Sequence, residues 1–218
     1  MAVLPRDLAA VQAAGFLISR QSDLKSLDAD VVVLTAPQAM SPRRALKKLR
    51  EIDPDSAYDF NHVYFEGGTD VGAAGTATIV PASRSERDGQ APIRRVGLVD
   101  GGVEPSHAAL SSLSLHLHGC NDTAVPSAHG TAIASRLVVG FSEAAPTITD
   151  MSLYVADVFC DAPTGGSTDA VVQALAWLMQ QDVPVINVSL VGPPNVLLQR
   201  AIQMALARGH LIVAAVGN

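Results

Sequence analysis

Two cysteines in 218 residues are too few for a disulfide framework. The spacing of Cys120 and Cys160 says nothing about whether their Cα atoms come within bridging distance. Both are read as small, buried thiols, the way a free cysteine usually packs. No apolar run approaches the roughly 20 residues of a membrane-spanning helix, so no membrane partner is expected. Met1 to Arg20 lacks a basic stretch followed by an uninterrupted apolar segment, and no signal peptide is visible. Positive charge is scarce as well. Lys and Arg number 15 against 21 Asp and Glu, a net charge of −6. The densest basic patch (Arg43, Arg44, Lys47, Lys48, Arg50) reads as the solvated face of one helix, so nucleic acid is not expected as a partner. No G-x-G-x-x-G or P-loop follows an apolar strand, which argues against a nucleotide-binding domain. His107, His116 and His118 lie near Cys120 without a paired Cys/His cluster of zinc spacing, so neither metal nor other cofactor is expected.

What the chain does have is apolar residues, 48% against 17% charged, enough for one sizeable core and a small second module. Residues 1–28 give weak signals, with a short helix over Leu8 to Phe16. Asp30 to Thr35 is β-branched and reads as a strand. Ser41-Pro42 supplies an N-cap and a first-turn proline for a helix with Ala45, Leu46, Leu49 and Ile52 on one face. Asp53-Pro54-Asp55 ends it, and a second strand is expected over Tyr58 to Tyr64. Residues 1–66 therefore form a small α+β module. From Gly67 to Pro92 the composition turns glycine-rich and polar, the best linker in the chain.

After Arg94 strands alternate with helices. Val96–Val99, Met151–Val158, Val183–Leu190 and Leu211–Val216 read as strands; Ser167–Gln181 and Asn195–Ala207 read as helices. Gly101 to Ala128 reads as a loop-rich region. The fold class is α/β, a doubly wound, mostly parallel sheet over 93–218 preceded by the α+β module. Ligands of such sheets sit beyond the C-terminal ends of the strands, where Asp100, Ser189 and Asn218 fall. His129 falls in the first turn of a helix, and Gly130 after it lets a second backbone come close. An Asp, a His and an Asn at the ends of separate buried elements are groups that orient a base and stabilise an oxyanion.

Val99-Asp100-Gly101-Gly102, His129-Gly130-Thr131, Val185-Ile186-Asn187-Val188-Ser189-Leu190 and Ala214-Ala215-Val216-Gly217-Asn218, in that order, resemble the subtilisin-like serine peptidases, the subtilases. The resemblance covers about residues 94–218. It implies that Asp100 orients the imidazole, that His129 is general base and then acid, and that Asn218 donates its amide to the oxyanion. Ser189, Leu190, Val191 and Gly192 are then the segment that pairs with extended polypeptide substrates. Residues 1–66 resemble an inhibitory pro-domain, an intramolecular partner, and 67–92 the processing region. Secretion, or export to a periplasm, is implied too.

The match has departures. Ala132 and Ser135 stand where many members carry His and Gly, and Val191 replaces a usual Gly, which narrows the cleft. Ala109 stands where calcium-binding relatives carry Asp, which removes a ligand from that site. No serine in 1–218 has the Gly-Thr-Ser context of the nucleophile, which is expected in a C-terminal part of the catalytic domain. The 218 residues by themselves are therefore expected to be inert. The competing reading is a peptide-binding pseudo-protease.

Overall fold

The computed structural model describes residues 2–4, 7–67, 95–144, 151–162 and 165–214. The linker expected over 67–92, apart from Gly67, lies outside these residues, and so does Asn218.

The N-terminal module is an antiparallel sheet of β1 (Ala2–Leu4), β2 (Leu17–Leu24), β3 (Ala29–Thr35) and β4 (Ala57–Asp59), in the order β2-β3-β1-β4. It carries helices α1 (Leu8–Ala13) and α2 (Pro42–Ile52). Alternation along β3 divides its two faces. Val32 and Leu34 join a core with Val11, Phe16, Ala45, Leu46 and Leu49, whereas Val31 turns the other way. Ser41 occupies the cap position of α2, but its side chain makes no capping hydrogen bond, leaving Pro42 as the start signal. Two strands went unread here. β1 is only three residues long, and β2 is mostly exposed and so lacks the alternation that marks a half-buried strand. The strand expected over Tyr58–Tyr64 is in fact two, β4 and β5 (Val63–Glu66), which belong to different sheets.

The second part is a parallel sheet of β6 (Arg95–Asp100), β7 (Ser114–His118), β8 (Ser152–Asp157), β10 (Val185–Val188) and β12 (Leu211–Ala214), ordered β12-β10-β6-β8-β7. Helices cover both faces, as continuous apolar strands require. Val96 and Leu98 pack with Ala134 and Val138 of α3 (Ala128–Ala144). Val99 packs on the opposite side with α4 (Thr168–Gln180) and α5 (Val196–Ala207). A β-carbon at Gly97 would press on Leu178 and Val183, so the glycine lets α4 lie close against the central strand. The doubly wound α/β sheet is thus as expected. β7 lies inside the region read as loop, and it did have a signal: Leu115 and Leu117 alternate with His116 and His118.

The N-terminal module sits on α4 and α5. Leu24, Leu27, Val31 and Ala57 enter the same apolar cluster as Val172, Leu175 and Ala176. Arg20 and Asn61 bind the buried Asp169 carboxylate in the first turn of α4, at 2.5 and 2.8 Å. The Val196 N–H at the start of α5 donates to Asp59, and Asn195, which caps α5, donates to the Phe60 carbonyl.

One sequence expectation fails outright. Cys120 and Cys160 are not free, buried thiols; they form a disulfide and are only partly buried. They follow β7 and β8, neighbouring parallel strands whose ends are necessarily adjacent. This brings their Cα atoms to 5.4 Å, inside bridging range. The information lies in the strand pairing, not in the spacing.

Candidate active site

Asp100 is the last residue of β6, fully buried at the C-terminal edge of the parallel sheet. His129 stands one residue into α3. The start of that helix is tied to the loop after β6 by short polar links. The Ser127 N–H donates to the Gly102 carbonyl, and the Ser127 hydroxyl accepts from the Gly130 N–H at 2.9 Å. Thr131 donates through its hydroxyl to the Ser127 carbonyl and accepts from the Glu104 N–H. Gly130 completes the fit, since a β-carbon there would collide with the carbonyls of Gly101 and Gly102. The His-Gly-Thr run is thus a clasp that fixes the helix start, and with it the imidazole, against the strand carrying the aspartate.

The result is a hydrogen bond of 2.9 Å from His129 Nδ1–H to Asp100 Oδ1, which also accepts from the Gly101 N–H. Asp100 Oδ2 is buried without a hydrogen-bond partner among the described residues, so His129 is the main group balancing its charge. The other ring nitrogen, Nε2, donates to the Gly67 carbonyl at 2.7 Å. A carbonyl can only accept, so Nε2 carries a hydrogen; with Nδ1 facing a carboxylate, the ring carries two. Burial alone would lower the pKa of His129. The Asp100 hydrogen bond and charge, the Gly67 carbonyl and the nearby Glu66 carboxylate outweigh it, and the net direction is up. Burial pushes the Asp100 carboxyl up, against the hydrogen bonds from His129 and Gly101.

Gly67 arrives here on β5, which runs between two short strands, β9 (Gly166–Ser167) and β11 (Leu190–Val191), antiparallel to both. Leu190 faces Glu66 and Val191 faces Phe65, and the Gly67 N–H donates to the Ser189 carbonyl at 2.9 Å. Ser189, just past β10, is held by its own N–H to the Val99 carbonyl. Gly192 lies under the Tyr64 ring, and any β-carbon there would strike it. The structure brings Asp100, His129 and Ser189–Gly192 around one extended segment of the chain itself. Glu66 and Gly67 were not foreseen as members of this site. Their only sequence signal is their place at the border of module and linker.

Among the described residues, two groups of side chains have the spacing to hold a metal. In the first, Cys120, Asp157 and Cys160, both sulfurs are in the disulfide and offer no thiolate. In the second, Glu66, Asp100 and His129, the donor atoms lie within 4.8 Å of one another, but both imidazole nitrogens are already engaged. The sulfurs of the first and the imidazole of the second are therefore already committed, which leaves only carboxylate oxygens in each group.

A family model described as the subtilase family matches residues 94–218, more than half the chain. The chain belongs to the subtilase family. It is similar to subtilisin DY of Bacillus licheniformis, 31% identical over 57% of this chain and 47% of that protein. It is similar also to subtilisin E of Bacillus subtilis, 27% identical over 85% of this chain and 50% of that one. The second alignment takes in 195 residues and so extends into the N-terminal module. The chain spans about half the length of the curated relatives it matches. Among solved structures it is similar to fervidolysin from Fervidobacterium pennivorans, with a TM-score of 0.59 at 13% identity over all of this chain and 39% of that one. The epidermin leader peptide processing serine protease of Staphylococcus aureus gives 0.54 at 13%, over all of this chain and 60% of that one. At such identity these two show the subtilase fold alone.

Proposed function

We propose that this subtilase chain is the N-terminal part of a subtilisin-like serine endopeptidase, with residues 1–66 its pro-domain and intramolecular inhibitor. One observation carries the reading: β5 lies in the cleft as an extended peptide, and the carbonyl of Gly67, the residue after it, sits on the histidine nitrogen that faces away from the aspartate. In the working enzyme Asp100 orients the ring and stabilises the imidazolium. His129 takes the proton of the serine hydroxyl through Nε2 and returns it to the leaving amine. Asn218 donates to the oxyanion, and Ser189–Gly192 pair with the substrate backbone. While Gly67 accepts from Nε2 the lone pair needed by a general base is occupied, so the pro-domain inhibits by hydrogen bonding as well as by filling the cleft. The family assignment also favours secretion or export to a periplasm, and the disulfide agrees with an oxidising compartment.

The serine belongs to a C-terminal part of the catalytic domain, a partner of these 218 residues. The test is labelling of the full-length gene product by a fluorophosphonate, which reports an activated serine. We expect stoichiometric labelling of the processed protein, none of its His129→Ala variant, and none of residues 1–218 alone. Peptide binding by a folded full-length protein that takes no label would instead establish the pseudo-protease reading.

A further inference from the structure

Outside the Asp100–His129 pair, the edge of the parallel sheet gathers a second set of donor atoms. We propose that Cys120, Asp157 and Cys160, once the two sulfurs are reduced, form a binding site for a soft divalent ion of the zinc class.

The donors converge through strand pairing. β7 and β8 run parallel, so the turn after β7 delivers Cys120 beside Asp157, the last residue of β8, and Cys160 follows just beyond it. Both sulfurs and one carboxylate oxygen lie within 4.8 Å of one another. Zinc bonds of about 2.3 Å to sulfur and about 2.0 Å to oxygen set tetrahedral donors roughly 3.5–3.8 Å apart. Small side-chain rotations therefore suffice once the sulfur–sulfur bond has opened.

The carboxylate is already oriented. Asp157 Oδ1 accepts from the Phe159 and Cys160 N–H groups at 2.9 and 2.8 Å, and the Gly102 N–H donates to the same carboxylate. Fixed donors of this kind are how proteins aim a metal-binding carboxylate. A carboxylate has about four lone-pair sites, and these three N–H groups leave room for a further partner. Oδ2 lies 3.2 Å from Cys120 Sγ, a sulfur that carries no hydrogen while it is in the disulfide. That contact is idle in the oxidised chain and becomes two adjacent ligands in the reduced one. The backbone also holds both sulfurs to this point. Cys120 and Cys160 have φ of 51° and 53°, in the left-handed region that residues other than glycine rarely enter.

Reduction needs an external dithiol, which gives up two electrons and two protons. The Cys120–Cys160 bond becomes two thiols while the reagent closes to its own disulfide. The ion then displaces both thiol protons to solvent, and water completes its four-coordination. In this form the ion links the ends of β7 and β8, as the disulfide does in the oxidised chain.

The test reduces the full-length gene product with a dithiol, removes the dithiol by gel filtration under argon, and titrates with Co²⁺ as a coloured stand-in for zinc. Binding should produce a near-ultraviolet thiolate-to-cobalt band and the strong visible bands of tetrahedral cobalt, both erased by Zn²⁺. The oxidised protein should show neither. Cys120→Ser and Cys160→Ser should each weaken binding at least about 100-fold, and Asp157→Asn about 10- to 100-fold. Trp177, stacked on His118 of β7, reports by fluorescence whether each reduced protein is folded. A reduced wild type that unfolds should regain its native signal when the ion is added, because binding then drives folding. No cobalt band, a chain that stays unfolded with the ion, or undiminished binding by folded Asp157→Asn overturns the site. Should Asp157→Asn not fold, undiminished binding by either serine variant overturns it instead. None of these outcomes bears on the peptidase reading, which fluorophosphonate labelling decides.

Discussion

The two sheets of this molecule solve opposite problems. In the parallel sheet, every residue of β6 after Arg95 is buried, and helices close both faces. In the antiparallel sheet, β2 shows most of its side chains to solvent, and only one face carries the module's own helices. The other face is closed by α4 and α5 of the neighbour. The parallel sheet buries its central strand β6 between its own helices and so holds Asp100 rigidly, whereas the antiparallel sheet finds part of its burial in being docked. The lesson is one of dependence: the cover leans on the core for its second face, while among the described residues the hydrogen bonds of the core's clasp run between Gly102, Glu104, Ser127, Gly130 and Thr131.

The sharpest test of this asymmetry is chemical. In the full-length enzyme Asp100→Asn should leave folding intact and lower turnover by about 10⁴-fold, because an amide neither stabilises imidazolium nor fixes its tautomer. The check is kcat beside a urea unfolding curve. Asn218→Ala should cost less, about 10²–10³ in kcat. Near-wild-type turnover in folded Asp100→Asn would put the chemistry outside the parallel sheet.

Next in size is the disulfide. Replacing Cys120 and Cys160 together by serine removes a closure of 40 residues and should lower the stability of the parallel part by about 4 kcal/mol. Denaturant midpoints followed by Trp177 fluorescence would measure it, since Trp177 lies in α4 and stacks on His118 of β7. An unchanged midpoint would mean that the edge strand needs no staple. Leu49→Ala, in the core private to the N-terminal module, should cost about 3 kcal/mol there. It should speed loss of the cover without altering kcat of the processed enzyme, the outcome that most directly separates the two cores.

The smallest expected effect is on pH. Asp100 holds the His129 pKa up whether or not the strand is docked, while the Gly67 carbonyl and Glu66 raise it further only in the docked state, so docking favours the protonated ring and that contribution fades as pH climbs through the raised pKa. Inhibition of the processed enzyme by its released N-terminal piece should therefore tighten a few-fold on going from about pH 8 to about pH 6. Glu66→Gln should flatten that profile, Asp100 being the remaining acid beside the ring. Inhibition that is independent of pH would show that the imidazole does not sense the docked strand.

How much of this was legible in the sequence depended on the range of the interactions. β6 announces itself as an apolar run because both its faces are covered, and β10 and β12 read as strands from the same apolar pattern although β12 itself is largely exposed. Asn195 and Gly209 mark the ends of α5, and Asn195 does accept from the Leu197 and Leu198 N–H groups. The Asp100–His129 pair could be anticipated because the short motifs around each residue resemble those of the subtilases, and the two side chains are indeed hydrogen-bonded. The other half of the site could not. Gly67 meets His129 across 62 positions, through strand pairing that no local pattern encodes. β2 was missed because an exposed antiparallel strand has no apolar period, and the disulfide because strand adjacency alone brings its ends together.

The covalent link between Cys120 and Cys160 has a consequence for survival. The enclosed stretch contains all of α3, His129 included, and β8. A single backbone cut anywhere within that ring sheds nothing: both fragments stay tethered, and the imidazole remains anchored from the side that was not cut. Nicking of this stretch is therefore damage without loss of parts. Such damage would be visible on a gel only after the sulfurs are reduced.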